Sequence, residues 1–117
     1  MAIVDLPSRK CRPCEGIGQV LTSKEVTEYL RAVPLWTVSD DGKSITRLLV
    51  MKNFLAAVHA VDKIAVVAEG ENHHPDIHLT KYRELAVTLS THAMGGLTEN
   101  DFIVAAKIDS LTLELKQ

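Results

Sequence analysis

From residue 21 onward, apolar positions follow first a helical and then a strand rhythm. Val26, Tyr29, Leu30 and Val33 fall at i, i+3, i+4 and i+7, one face of a helix. Thr22-Ser23-Lys24-Glu25 supplies a capping box at its start, with Thr22 as N-cap and Glu25 reaching back. Pro34 forbids its continuation. Leu35 to Val38 and Ile45 to Val50 are short, apolar and β-prone, and Asp41-Gly42 between them is a hairpin signal. A longer helix begins near Asn53, with Phe54, Ala57, Val58, Val61, Ile64, Ala65 and Ala68 expected on its apolar face, as core or subunit interface. Gly70 and Pro75 end it between Glu69 and His73.

A second strand pair is expected at Asp76–Lys81 and Glu84–His92. In its second arm Leu85, Val87 and Leu89 alternate with Ala86, Thr88, Ser90 and His92, which puts His92 on the more polar face. Gly95-Gly96 makes a turn, and Thr98 opens a last helix containing Phe102, Ile103, Ala105 and Ala106. The order α-β-β-α-β-β-α predicts an α+β fold, with helices covering one face of an antiparallel sheet. Residues 1–20 carry no periodicity. They hold Pro7, Pro13, Gly16, Gly18 and the basic cluster Arg9, Lys10 and Arg12, and read as an irregular or mobile N-terminal arm ahead of a single domain over 21–117.

Composition narrows the classes. The chain has 117 residues, a formal net charge of −2 and 46% hydrophobic residues, which suits one ordinary globular domain. No apolar run is long enough to span a bilayer, and no signal peptide is visible near Met1. The near-neutral charge argues against a nucleic-acid partner. Two cysteines make no disulfide framework, so a cytoplasmic, reducing setting is the default.

The chemistry lies in His73-His74-Pro75, with His92 eighteen residues beyond His74. Pro75 pushes His74 into an extended conformation and presents both imidazoles on a defined loop after a helix. Imidazoles titrate near working pH and serve as general acids or bases. A hairpin could return His92 to the same cleft. Glu69, one helical turn before His73, could orient a ring, and Asp101 could cap the last helix as well as face the site. Read alone, the paired histidines equally suit a polar helix end. His78 is a candidate fourth site histidine, and His59 a surface or interface residue. A zinc site of His73, His74, His78 and His92 is disfavoured, because adjacent ligands are awkward and no zinc spacing is present. Cys11-Arg12-Pro13-Cys14 supplies one C-x-x-C pair without the strand–helix setting of a redox motif, and Gly16-Ile17-Gly18 lacks the strand of a nucleotide loop.

The stretch Glu69-Gly70-Glu71-Asn72-His73-His74-Pro75, then Tyr82, Ser90-Thr91-His92 and Gly96-Leu97-Thr98-Glu99-Asn100-Asp101, resembles the pterin-4a-carbinolamine dehydratases over about residues 20 to 110. The resemblance implies a four-stranded antiparallel sheet with three helices, assembled as dimers or tetramers. It implies dehydration of 4a-hydroxytetrahydropterin to quinonoid dihydropterin in tetrahydropterin recycling, with no metal or organic cofactor. His73 and His92 would carry the acid/base roles and His74 would chiefly hold the pterin. Glu69, Asn72, Pro75, Ser90, Thr91 and Asp101 would line or surround it. Asn72 departs from the acidic residue of some members; its amide can hydrogen-bond a pterin edge but cannot stabilise a cation. The resemblance also implies an alternative, a non-catalytic interaction protein serving as dimerisation cofactor of a transcription factor, or a pterin-binding relative on the same fold. The three retained histidines favour the enzyme.

Overall fold

The computed structural model describes residues 5–13 and 16–117. Helix α1 spans Ser23–Leu30. Strands β1 (Thr37–Val38) and β2 (Ile45–Val50) follow, then helix α2 (Phe54–Glu71). Strands β3 (Asp76–Thr80) and β4 (Glu84–Leu89) lead to helix α3 (Glu99–Asp109). The strands form one antiparallel sheet in the order β1-β2-β4-β3. The fold is therefore α+β, with three helices and a four-stranded sheet.

Strand alternation decides which face the helices cover. Ile45, Leu49, Leu85, Val87 and Leu89 are at most 1% exposed and point to the core. On the other side Leu48, Asp76, His78 and Thr80 are exposed. Helix α3 is the centre of the core: Phe102 to Ala106 and Ile108 are all buried. Each fully buried branched side chain there contributes roughly 1.5–3 kcal/mol. Arg47 also points inward and meets Asp109 at the end of α3 at 2.5 Å; the Trp36 indole N–H donates to the same carboxylate oxygen at 2.9 Å. That anchor turns Trp36 into the core and leaves β1 shorter than the apolar stretch from Leu35 suggests.

Three sequence expectations change. In α2 the buried line is Ala56, Ala57, Ala60, Ile64 and Ala68, while Phe54, Val58 and Ala65 are exposed. At 100° per residue those three lie about 60–100° round the helix from the Ala57–Ile64–Ala68 line, so they form its rim. Small side chains on the buried line let the helix sit close to its neighbours. The described part of the N-terminal arm is irregular yet anchored: Leu6, in a 3-10 turn over Leu6–Ser8, is 2% exposed and belongs to the core. It carries no periodicity because single side chains and backbone groups, rather than one repeating face, make its contacts. The third change concerns His92. Strand β4 stops at Leu89, and His92 begins a 3-10 turn over His92–Met94. Thr91 pairs instead with Gly96, and Gly95 closes the turn at φ 69°, a left-handed conformation glycine adopts without strain.

Candidate active site

The end of α2 sets the position of the histidine pair. Asn72 takes the left-handed conformation, φ 51° and ψ 42°, which asparagine tolerates better than most residues. The His73 N–H then donates back to the Ala68 carbonyl at 3.2 Å and closes the helix end. Asn72 thus has a backbone task at the helix terminus. Pro75 follows at once and leads into β3.

His73 is held from the other side of the core. Its Nε2 lies 2.6 Å from Oδ1 of Asp101, a residue 28 positions away and fully buried. The second oxygen of Asp101 accepts from the Thr91 hydroxyl at 2.8 Å and from the Thr98 N–H at 2.9 Å. Thr91 and Thr98 also share a hydrogen bond between their hydroxyls at 2.9 Å. Asp101 therefore caps α3 and binds the ring at the same time, with one oxygen for each task. A carboxylate is an acceptor only, so Nε2 of His73 carries hydrogen, and Nδ1 is the nitrogen left for exchanging a proton.

The other two rings have their own carboxylates. His74 Nε2 lies 2.5 Å from Glu69 Oε2, in an exposed pair across the last turn of α2. His92 is exposed; its Nε2 lies 3.3 Å from Ser90 Oγ and 3.9 Å from Asp76 Oδ2. These contacts close a circuit. His73 meets Asp101, Asp101 meets Thr91, His92 is the next residue of the chain after Thr91, and His92 faces Asp76, three residues after His73. The loop-borne and turn-borne histidines thus share one neighbourhood at the α2–β3 and β4–α3 junctions, although none of the three rings hydrogen-bonds another. A cavity of about 240 Å³ opens beside His92, lined by Asp41, Lys43, Ser44, Ser90, Gly95 and Gly96; His73 and His74 are not part of its wall.

Asp76 is the neighbour that sequence reasoning missed as a partner of His92. Its place directly after His73-His74-Pro75 was the available signal. His78 stands on the exposed side of β3, opposite Ala86, and belongs to none of these contacts. His59 is exposed on α2. Among the described residues no three His, Cys, Asp or Glu side chains are grouped to hold a metal ion. Of the C-x-x-C pair, Cys11 is half-buried, and Cys14 lies outside the described residues.

Comparison with known proteins finds the following similarities for the chain as a whole. A family model described as pterin 4 alpha carbinolamine dehydratase matches residues 19–111. A Legionella pneumophila (strain Corby) protein named for that family is 43% identical over 111 residues, covering 94% of this chain and 97% of its own length. The Arabidopsis thaliana protein named pterin-4-alpha-carbinolamine dehydratase 2, mitochondrial, is 36% identical over 116 residues, 97% of this chain and 62% of its own. Among solved structures, a Brucella melitensis protein described as a transcriptional coactivator/pterin dehydratase superposes with a TM-score of 0.73 at 36% identity, over 79% of this chain and 97% of that one.

Proposed function

The chain belongs to the pterin-4a-carbinolamine dehydratase family, and from that premise we propose that it dehydrates 4a-hydroxytetrahydropterin to the quinonoid dihydropterin, with His73 and His92 moving the protons. The circuit from His73 through Asp101 and Thr91 to His92 carries this reading. It sets a half-enclosed His73, held by a buried carboxylate, against an exposed His92.

The reaction breaks the bond between C4a and its hydroxyl oxygen. The leaving oxygen gains a proton, N5 loses one, and a double bond forms between N5 and C4a. One imidazolium and one neutral imidazole therefore suffice. His73, backed by the Asp101 carboxylate, suits the acceptor role, because that carboxylate stabilises the positive charge the ring acquires. Exposed His92 suits the donor role, since solvent can restore its proton after each turnover. His74, hinged to Glu69, holds the flat ring system, with Asn72, Pro75, Ser90 and Thr91 around it. Each positioned acid or base contributes about 10²–10⁴-fold. The residues require no metal or organic cofactor for these steps.

A dimer or tetramer is part of the proposal: α2 exposes Leu55, Val58 and Val66, the last 74% exposed, a stripe of large apolar side chains that a second subunit would cover. Tetrahydropterin recycling in the cytoplasm is the corresponding physiological setting, with the Arabidopsis relative named as mitochondrial. Among the described residues no helix is long and apolar enough to cross a membrane. The Brucella relative's description as a coactivator favours a second reading, a protein partner seated on that same stripe. The test is the loss of chemically generated 4a-hydroxytetrahydropterin, followed by ultraviolet absorbance. Acceleration by the purified protein is expected; a rate equal to buffer alone would favour the interaction reading.

A further inference from the structure

The arm ahead of α1 lies before the stretch that the family model matches, which begins at residue 19, yet its polar contacts converge on the two helix ends that carry His73 and Asp101. At the end of α2, the Cys11 N–H donates to Glu71 Oε1 at 2.8 Å. Glu71 is the last residue of α2, its side chain only 6% exposed, and Lys10 and Lys107 approach its other oxygen at 3.5 and 3.6 Å. At the start of α3, Asn100 pairs with Arg12 in both directions. The Arg12 N–H donates to Asn100 Oδ1 at 2.9 Å, and Asn100 Nδ2 donates to the Arg12 carbonyl at 2.7 Å. Arg9 adds an ion pair to Glu99 Oε2 at 2.7 Å, where the Tyr29 hydroxyl also donates at 2.6 Å. Lys107 donates to the Pro7 carbonyl at 2.7 Å.

We infer that residues 9–12 are a strap that sets the distance between His73 and Asp101, so that Glu71 and Asn100 are positioning residues for the proposed acid/base pair. Glu71 stands two residues before His73, and Asn100 one residue before Asp101. Cys11 touches both helix ends, its N–H on Glu71 and its thiol 3.6 Å from the Asn100 carbonyl, and Arg12 holds the Asn100 side chain. A shift of either end is transmitted to the contact between the Nε2 of His73 and the Asp101 carboxylate within one or two backbone units. Leu6, buried in the core, already anchors the arm. The polar contacts of residues 9–12 therefore add register between two helix ends, in helices that the Lys107–Glu71 pair, at 3.6 Å, also draws together. Burial first, and then the Glu71 charge, push the Cys11 thiol up to about 12, which keeps it protonated and able to donate to the Asn100 carbonyl.

The inference rests on the dehydratase reading, and one set of variants separates the two. Asn100→Ala removes both bonds to Arg12. Histidine-selective 15N spectra should show the His73 ring signals moving while those of His59 stay in place. The strap also predicts that kcat falls by about tenfold with KM changed by less than about twofold, the pattern of a displaced reacting group. Glu71→Ala should do the same, and Glu71→Gln, which keeps an acceptor for the Cys11 N–H, should restore the His73 signals. Unmoved His73 signals in both alanine variants would overturn the strap. So would signals that move equally in Glu71→Gln and Glu71→Ala. A wild-type protein without dehydratase activity would sink the proposed reaction, and the ring spectra would still decide the strap.

Discussion

Asp101 holds His73 through one carboxylate oxygen and caps α3 through the other, so the same side chain fixes a helix start and a catalytic ring. Replacing it with asparagine keeps one carbonyl acceptor but presents an amide to the ring. Nε2 of His73 would then have to accept, and its proton would move to the nitrogen meant for the substrate. Asp101→Asn should lower kcat by about 10²–10⁴-fold. The lost charge-assisted bonds should cost about 1–3 kcal/mol of stability, visible as a lower melting temperature by circular dichroism. Full activity in a folded variant would remove Asp101 from the mechanism.

His92 and His74 separate chemistry from binding. Both are exposed, so truncating either should change stability by no more than about 0.5 kcal/mol. His92→Ala should reduce kcat by about 10²–10⁴-fold, whereas His74→Ala should chiefly raise KM. Steady-state kinetics on both variants check this assignment, and a KM effect from His92→Ala with kcat intact would reverse it.

How far the sequence foretold this arrangement can be read from particular residues. The capping box at Thr22, the strands at Ile45 and Glu84, and the end of α2 between Glu69 and His73 are legible because each is a local signal: a cap, a β-prone run or alternation, or a glycine followed by a proline. His92 was misplaced on a strand because alternation continues through Ser90 on paper. The bridge from Thr91 to Gly96, which ends that strand, depends on the following turn. The rim position of Phe54 and Val58 could not be told from periodicity, since an apolar arc wider than the buried line fits the same pattern. The packing of the arm was invisible for a different reason. Glu71 and Asn100 meet it through backbone groups, and backbone groups leave no mark on side-chain pattern.

Glu71 makes acid stability a test of the packed arm. Burial pushes its carboxyl up, but the Cys11 N–H and the Lys107 and Lys10 ammonium groups outweigh that and hold it below its ordinary value of 4.5. A carboxyl depressed in the folded state contributes stability that is complete above its unfolded value and is lost as pH falls through the folded one. The melting temperature should therefore decline as pH drops below 4.5, and Glu71→Gln should decline less over the same window. Parallel curves for the two proteins would mean that the arm does not hold Glu71 in solution.

The exposed stripe of α2 makes assembly testable. Val66 is 74% exposed, so Val66→Asp should leave the folded subunit intact and dissociate any oligomer built on that face. Sedimentation should show the wild type as a dimer or tetramer and the variant as a smaller species. A wild-type monomer would contradict the proposed assembly.

A crystal structure of the protein with a bound dihydropterin tests whether His73 and His92 act on one ligand. One flat ligand should lie with its C4a–N5 edge within about 2.6–3.2 Å, or one water, of both His73 Nδ1 and the His92 ring, with His74 against the remainder. A ligand seated away from these histidines, or touching His92 while His73 stays sealed against Asp101 and out of reach in either subunit, would contradict it.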